Sequence, residues 1–423
     1  YPMDATVGRD GVELAFESWL HGTSGTRLTE KDENGNIISQ EWKHEPEPGG
    51  NVILTLDTAL QATLENKLAE YTAASGDEVG KAAGVVVDMN GGVLALASYP
   101  TYDLASVREN YAELSSDTEN RPLLNRATQG IYAPGSTFKM LTAVAALSVG
   151  VISPRDTVQC TGIYRFYSDP RSQPACWIWN SVRGTHGSEN VTKAITDSCN
   201  IFFYDVGRRT TIAKIREYAA KFGLGEYTGI EIAEEKGYVA GPETSEMLGG
   251  VWYDGNTMYA SIGQENNQFT PLQLANYVAT LVNGGKHYQC HLLKEVKSSD
   301  YSQTVYEYEP VLLDTIDIED EDLNAIKLGM LNLSQTASMA RYFSSLPVDV
   351  GCKTGTAEVA TKAANAVFVC FAPYDNPQVA LCLVAEQGDA GGNLAQVAAD
   401  ILAQYFSTTS SLNDQSGENV LLR

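Results

Sequence analysis

Pro134-Gly135-Ser136-Thr137-Phe138-Lys139 opens the apolar run Met140-Leu141-Thr142-Ala143-Val144-Ala145-Ala146-Leu147, and the reading of the whole chain turns on this stretch. Pro134 and Gly135 let the backbone bend sharply into a helix. Ser136 then falls near the helix N-terminus, where free N–H groups and the helix dipole favour developing negative charge. Lys139, three residues on, lies on the same face. A serine hydroxyl is a poor nucleophile until a base takes its proton. A lysine amine can act as that base only where burial or positive neighbours lower its pKa toward about 7 to 8. The pattern therefore predicts a buried Lys139. Taken alone, Ser-x-x-Lys is more often an N-capping serine followed by a solvated lysine, so further motifs must decide.

Ser198-Cys199-Asn200 follows a run of helix formers. A tight turn there points alternate side chains the same way, so that Ser198 and Asn200 face one cavity. Ser198 would relay a proton to a leaving amine, and Asn200 would hold the Lys139 amine and a substrate amide. Lys353-Thr354-Gly355-Thr356, with Val348 and Val350 before it and Val359 after, reads as an edge strand. The missing side chain at Gly355 allows another backbone to come close. An extended peptide can pair along this strand while Lys353, Thr354 and Thr356 offer charge and hydroxyls to a terminal carboxylate. The amide N–H groups of Ser136 and Thr356 would form an oxyanion hole, where one lost donor costs about 2.7 to 4 kcal/mol. Each short motif has an ordinary alternative, a turn or a surface lysine on an edge strand. Their occurrence together and in this order favours chemistry.

Outward from the motifs, Ala83 to Asp88 and Val93 to Ala97 flank Met89-Asn90-Gly91-Gly92 as a hairpin, and Ala366 to Phe371 with Val379 to Ala385 form a second. Between them, residues 192–205, 211–222 and 271–283 are helical by period, the last started by Thr270 and Pro271. Asp57 can cap a helix reaching Tyr71, with Leu60, Leu64 and Leu68 on one face. Strands from both ends with helices between them predict an α+β fold, one antiparallel sheet interrupted by a helical insertion. Residues 1–50 read as the end of an accessory domain, with a short helix near 11–20, a hairpin turning through Asp32-Glu33-Asn34-Gly35-Asn36 and a Pro/Gly linker at 45–50. Residues 51–408 read as the main domain, its sheet part at 51–135 and 331–408 and its helical part at 136–330. A helix is expected over 393–406, and 409–423 as a mobile tail.

The 423 residues are globular by composition, 43% hydrophobic and 19% charged. A net charge of -24, from 53 acidic against 29 basic residues, argues against nucleic acid or an anionic lipid surface as partner. No stretch reaches the roughly 18 to 20 apolar residues of a membrane span. The start, Tyr1-Pro2-Met3-Asp4, suggests a mature chain or one from which an anchor was removed.

Seven cysteines, an odd number, do not suggest a disulfide scaffold. Cys160, Cys176 and His186 lie in a loop-rich stretch between the first two motifs, and thiolates with an imidazole suit tetrahedral zinc. Asp169, Asp197 or Cys199 would supply a fourth ligand. A Cys160–Cys176 disulfide and unrelated buried thiols stay open as alternatives. His287-Tyr288-Gln289-Cys290-His291 reads as a strand that turns Cys290 away from both histidines. Cys370 and Cys382 read as core thiols, and Cys352 should point away from the cleft.

With these residues in view, the chain resembles the class B penicillin-binding proteins, monofunctional D,D-transpeptidases that cross-link peptidoglycan and carry this Ser-x-x-Lys, Ser-x-Asn and Lys-Thr-Gly trio. It shares with them Val93-Leu94-Ala95-Leu96-Ala97-Ser98-Tyr99-Pro100, Gly184-Thr185-His186-Gly187, Phe222-Gly223-Leu224-Gly225 and Thr270-Pro271-Leu272-Gln273-Leu274-Ala275. The similarity spans about 51–405, and Arg9 to Glu17 is similar to the end of the family's pedestal domain. The resemblance implies a central five-stranded antiparallel sheet flanked by helices, with a mostly helical subdomain. It implies acylation of Ser136 by a stem peptide ending in D-Ala-D-Ala, then attack by an amine of a neighbouring stem. It further implies covalent inhibition by β-lactams, a separate glycosyltransferase partner in the cell-wall complex, a role in cell shape, no cofactor for catalysis, and anchoring at the extracytoplasmic face of a bacterial membrane. A β-lactamase or D,D-carboxypeptidase would differ in using water as acceptor, and a β-lactam sensor or silent scaffold in not turning over.

Overall fold

The computed structural model describes residues 7–75, 79–169, 173–359 and 362–415. They fall into two compact units, one drawn from 1–55, 229–233 and 291–310, the other from 56–228, 234–290 and 311–423.

In the smaller unit the expected hairpin is present as Thr26–Lys31 paired with Ile37–His44. Its turn closes because the Asp32 carboxylate accepts from the backbone N–H groups of Asn34 and Asn36, at 2.9 and 2.7 Å. The helix expected near 11–20 is two short ones, Gly11–Ala15 and Glu17–Leu20, separated where Phe16 leaves helical geometry at φ -110°, ψ 16°. Asn51–Leu54 pairs with Leu293–Lys297, which pairs in turn with Thr304–Glu307.

The larger unit runs α1 (Thr58–Ala74), β1 (Ala82–Asp88), β2 (Val93–Tyr99), α2 (Lys139–Ser148), α3 (Val191–Thr196), α4 (Asn200–Thr210), α5 (Pro271–Val282), β3 (Gly351–Val359), β4 (Lys362–Ala372), β5 (Val379–Ala385) and α6 (Ala395–Gln415), with shorter elements between. The five strands form one antiparallel sheet in the order β3-β4-β5-β1-β2. Strands from the two ends of the sequence meet where β5 pairs with β1, Leu381 opposite Val86. This is the interrupted sheet the hairpins predict.

Helices cover both faces, which is why β1 and β5 are apolar along nearly their whole length rather than alternating. On one side Leu60, Leu64 and Leu68 of α1 and Leu394, Ala398, Ile401 and Leu402 at and near the start of α6 pack on Val86, Phe368, Cys370 and Leu383. α5 packs on the sheet against β5, β1 and β4. The Asp57 cap is real, its carboxylate accepting from Ala59 and Leu60. Thr270 and Gln273 form a reciprocal capping box at α5.

Two helical expectations change. The span 192–205 breaks into α3 and α4 at residues 197–199, inside the second motif. The last helix reaches Gln415, past the expected end at Phe406, and 416–423 lie outside the described residues. No helix among the described residues is long and apolar enough to cross a membrane.

Candidate active site

Among the described residues β3 pairs only with β4, at the open edge of the sheet, and the turn before α2 packs against it. Two glycines make that approach possible. A Cβ on Gly135, itself at φ +53°, would stand 2.6 Å from Thr356 O, and one on Gly355 would stand 2.5 Å from Pro134 O. The entry to α2 is a 3₁₀ turn over Gly135–Phe138 rather than a regular α-helical start. Three residues per turn eclipse positions i and i+3, so Ser136 and Lys139 line up more closely than on an α-helix. Ser136 is half-buried while every other residue from Pro134 to Leu147 is buried. Ser136 is therefore the one partly accessible residue of a dry segment.

Lys139 is 0% exposed, as its proposed role demands. Its Nζ donates to Ser198 O at 2.8 Å and Asn200 Oδ1 at 2.6 Å, and lies 3.2 Å from Ser198 Oγ. Burial lowers its pKa to about 8, against the opposing influence of the Cys176 and Cys199 thiols. A neutral amine has two N–H groups and one lone pair. The two carbonyl oxygens take the N–H groups, which leaves the lone pair for a hydroxyl.

Lys353 is also 0% exposed. Its Nζ donates to Ser198 Oγ and Thr354 O, both at 3.0 Å. Burial and then the nearby Lys139 charge push its pKa well below the ordinary lysine value. Two buried amines on one hydroxyl disfavour double protonation, so the pair favours a state with one neutral amine.

Local geometry explains how Ser198 reaches both. After α3, Ser198 N–H bonds Ile195 O at 3.3 Å and Cys199 N–H bonds Ala194 O at 2.9 Å, the double bond pattern of a Schellman helix end. The left-handed position of that motif usually holds glycine; here it holds Ser198, at φ +51°. Asn200 then opens α4, and Ser198 and Asn200 both meet Lys139 Nζ.

Between them, Cys199 turns inward and completes a group with Cys160, Cys176 and His186, their ligand atoms within 4.8 Å of one another. Of the three candidates for a fourth ligand, Cys199 is the one the fold brings in. All three thiols are free. His186 Nδ1 stands 3.6 Å from Cys160 Sγ and 3.5 Å from Cys176 Sγ. Zn–S bonds of about 2.3 Å and Zn–N bonds of about 2.0 to 2.1 Å at a tetrahedral angle put S and N about 3.5 Å apart, so the residues fit zinc. The Cys176 thiol is held well below its ordinary value, chiefly by the hydrogen bond with Cys199 and then by His186, while burial opposes. Cys199 is pushed up in exchange.

Cys352 belongs to the core cluster on the sheet face covered by α1 and α6, away from the cleft as expected. The sequence reading missed a segment that meets both the turn carrying Ser136 and the strand β3. Gly135 N–H donates to Gly263 O at 3.0 Å, and Gln264 Nε2 donates to Thr356 O at 3.2 Å. No local pattern in 261–267 signals this contact, which exists only once the chain has folded.

A family model for the penicillin binding protein transpeptidase domain matches residues 82–403. A second, for the penicillin-binding protein dimerisation domain, matches 1–54. The peptidoglycan D,D-transpeptidase MrdA of Escherichia coli (strain K12) is 34% identical, the alignment covering 95% of this chain and 65% of that relative. The chain thus spans about two thirds of the length of this curated relative. The crystal structure of Pseudomonas aeruginosa PBP2 in complex with WCK 5153 superimposes with a TM-score of 0.78 at 29% identity, covering 94% of this chain and 82% of that one. A chain from a peptidoglycan synthase complex, described in terms of structural coordination of polymerization and crosslinking, gives a TM-score of 0.82 at 30% identity, covering 95% and 70%.

Proposed function

The chain belongs to the penicillin-binding protein transpeptidase family, and from that premise we propose that it is a serine D,D-transpeptidase that cross-links peptidoglycan stem peptides and is acylated by β-lactams. The observation that carries this reading is the placement of Ser198 Oγ between two buried amines, 3.2 Å from Lys139 Nζ and 3.0 Å from Lys353 Nζ.

The donor stem would lie along the open edge of β3. Its terminal carboxylate meets Lys353 and the hydroxyls of Thr354 and Thr356, and its penultimate carbonyl oxygen meets the N–H groups of Ser136 and Thr356. Ser136 Oγ attacks that carbonyl carbon and its proton passes to Lys139 Nζ. As the tetrahedral intermediate collapses, the C–N bond breaks and Ser198 Oγ delivers a proton to the departing D-Ala amine, recharged from Lys139. The acceptor amine then attacks the acyl-enzyme carbonyl and Lys139 takes its proton; as the ester C–O bond breaks, Lys139 returns that proton to Ser136 Oγ and the new amide bond is left. The N–H donors act on charge that develops only in the transition state.

We further read Cys160, Cys176, His186 and Cys199 as the ligands of a structural zinc. A closed set of four protein ligands leaves no position for water or substrate, so the metal would pin the loops around the second motif and supply no catalytic chemistry. The family match supports an extracytoplasmic location, where peptidoglycan lies. The match to a synthase-complex chain supports partnership with a polymerising glycosyltransferase.

Mass spectrometry of the intact protein after penicillin exposure tests the reading. One adduct, mapped to Ser136 and absent from Ser136→Ala, is expected. An adduct that survives Ser136→Ala would overturn it, and rapid steady turnover of a chromogenic cephalosporin would shift the assignment to a hydrolase.

A further inference from the structure

Side chains cap two carbonyls on the open edge of β3 that an incoming peptide would meet. Thr354 O accepts from Lys353 Nζ at 3.0 Å and Thr356 O from Gln264 Nε2 at 3.2 Å. In an antiparallel strand the N–H and C=O of one residue point to the same edge, so the Thr356 N–H that would meet the oxyanion lies on the edge that Gln264 occupies. A donor that lays its carbonyl on that N–H and continues the ladder brings a backbone N–H toward Thr356 O. Gln264 already holds that acceptor.

We propose that Gln264 is a specificity-determining residue, a built-in competitor for the amide N–H of the donor on the Thr356 carbonyl, which N-acylamino donors must displace. The proposal rests on reading the cleft as a donor site for acyl transfer.

The backbone behind Gln264 is fixed relative to the nucleophile. Gly263 lies at φ +77°, and a Cβ there would stand 2.1 Å from Gly135 O. Asn267, 1% exposed, donates to Ala260 O and Gln264 O at 3.0 Å each and accepts from Ala240 N–H at 3.0 Å. Thr142 Oγ1 donates to Ser261 O at 2.7 Å. From this braced loop the side chain of Gln264 reaches β3 through one neutral, solvent-facing hydrogen bond. Such a bond is worth little net and exchanges easily, unlike the cap from buried Lys353. A ligand that carries an N–H must break it, whereas a ligand without one leaves it in place.

The test compares acylation by benzylpenicillin, which has an acylamino N–H, with acylation by penicillanic acid, the same ring without that group, by stopped-flow in wild type, Gln264→Ala and Gln264→Met. Both variants should acylate about 3- to 10-fold faster with benzylpenicillin, the range expected for one exposed hydrogen bond, and at an unchanged rate with penicillanic acid. Equal changes for both ligands, or slower acylation by benzylpenicillin, would overturn the proposal. Thermal melts of the variants separate a folding defect from the effect sought. Failure of the underlying reading looks different: acylation would then be independent of Ser136, whereas acylation at Ser136 with an unchanged ligand ratio sinks only the role of Gln264.

Discussion

The backbone N–H of Asn200 donates to Cys176 Sγ at 3.3 Å, so the residue that accepts from the Lys139 amine is tied directly to the thiol cluster. Cys199 makes the same link through the chain, sitting between Ser198 and Asn200 with its side chain in the cluster. Whatever orders the thiols therefore also sets the two oxygens that take the Lys139 protons.

Protein purified without chelator should carry about one zinc per chain by elemental analysis, since three thiols and an imidazole make a complete tetrahedral set. Stripping the metal, or Cys199→Ser, should lower the melting temperature and slow acylation of Ser136 together. Absence of bound metal in a fully acylating preparation would count against the site.

Acylation should depend on pH with a sign fixed by Lys139. The amine must be neutral to accept the Ser136 proton, and burial brings its pKa down to about 8. Below that value the rate should climb about tenfold per pH unit, because the neutral fraction does, and above it the rate should level off. Lys139→Arg cannot lose its proton and should acylate about 10²- to 10⁴-fold more slowly than the wild-type plateau, without the rise toward pH 8. A flat profile from pH 6 to 9 would remove Lys139 as the base.

The approach of β3 to the nucleophile turn should be intolerant of a single methyl. Gly355→Ala places a carbon 2.5 Å from Pro134 O and 3.1 Å from Thr137 Cγ2. The strand or the turn must shift, at a cost of about 1 to 3 kcal/mol in stability. The same shift moves the Thr356 N–H off the oxyanion, and acylation should fall by about 10²-fold or more. Denaturant melts and stopped-flow acylation would check both halves.

Much of this arrangement is legible in the sequence because its signals are local. Ser136 and Lys139 sit one turn apart, Gly355 marks a close backbone approach, and hairpin residues at 89–92 and 373–377 bracket strands of the central sheet. Cys160, Cys176 and His186 announce themselves by chemistry, though Cys199 competes on equal terms with Asp169 and Asp197 until the fold decides. What the sequence conceals is long-range or conformational. Gln264 reaches Thr356 only through tertiary packing. The break between α3 and α4 is read through when the apolar period of 192–205 is followed alone, although Asp197-Ser198-Cys199-Asn200 are poor helix formers and fit the tight turn of the second motif.

Backbone strain separates two roles of Ser198. At φ +51° a residue with a Cβ sits where glycine is at ease, and the left-handed region costs such residues about 1 to 2 kcal/mol. The hydroxyl explains why a serine is held there, since it bridges Lys139 and Lys353. Ser198→Ala and Ser198→Gly both remove the hydroxyl, but only glycine relieves the backbone. Both variants should lose acylation to the same low level, because neither can pass a proton between the amines and the leaving group. Their stabilities should differ, with Ser198→Gly about 1 kcal/mol more stable than Ser198→Ala in denaturant unfolding. Equal stabilities would mean that the turn bears no strain, and a still-active Ser198→Ala would mean that the hydroxyl is not the proton relay.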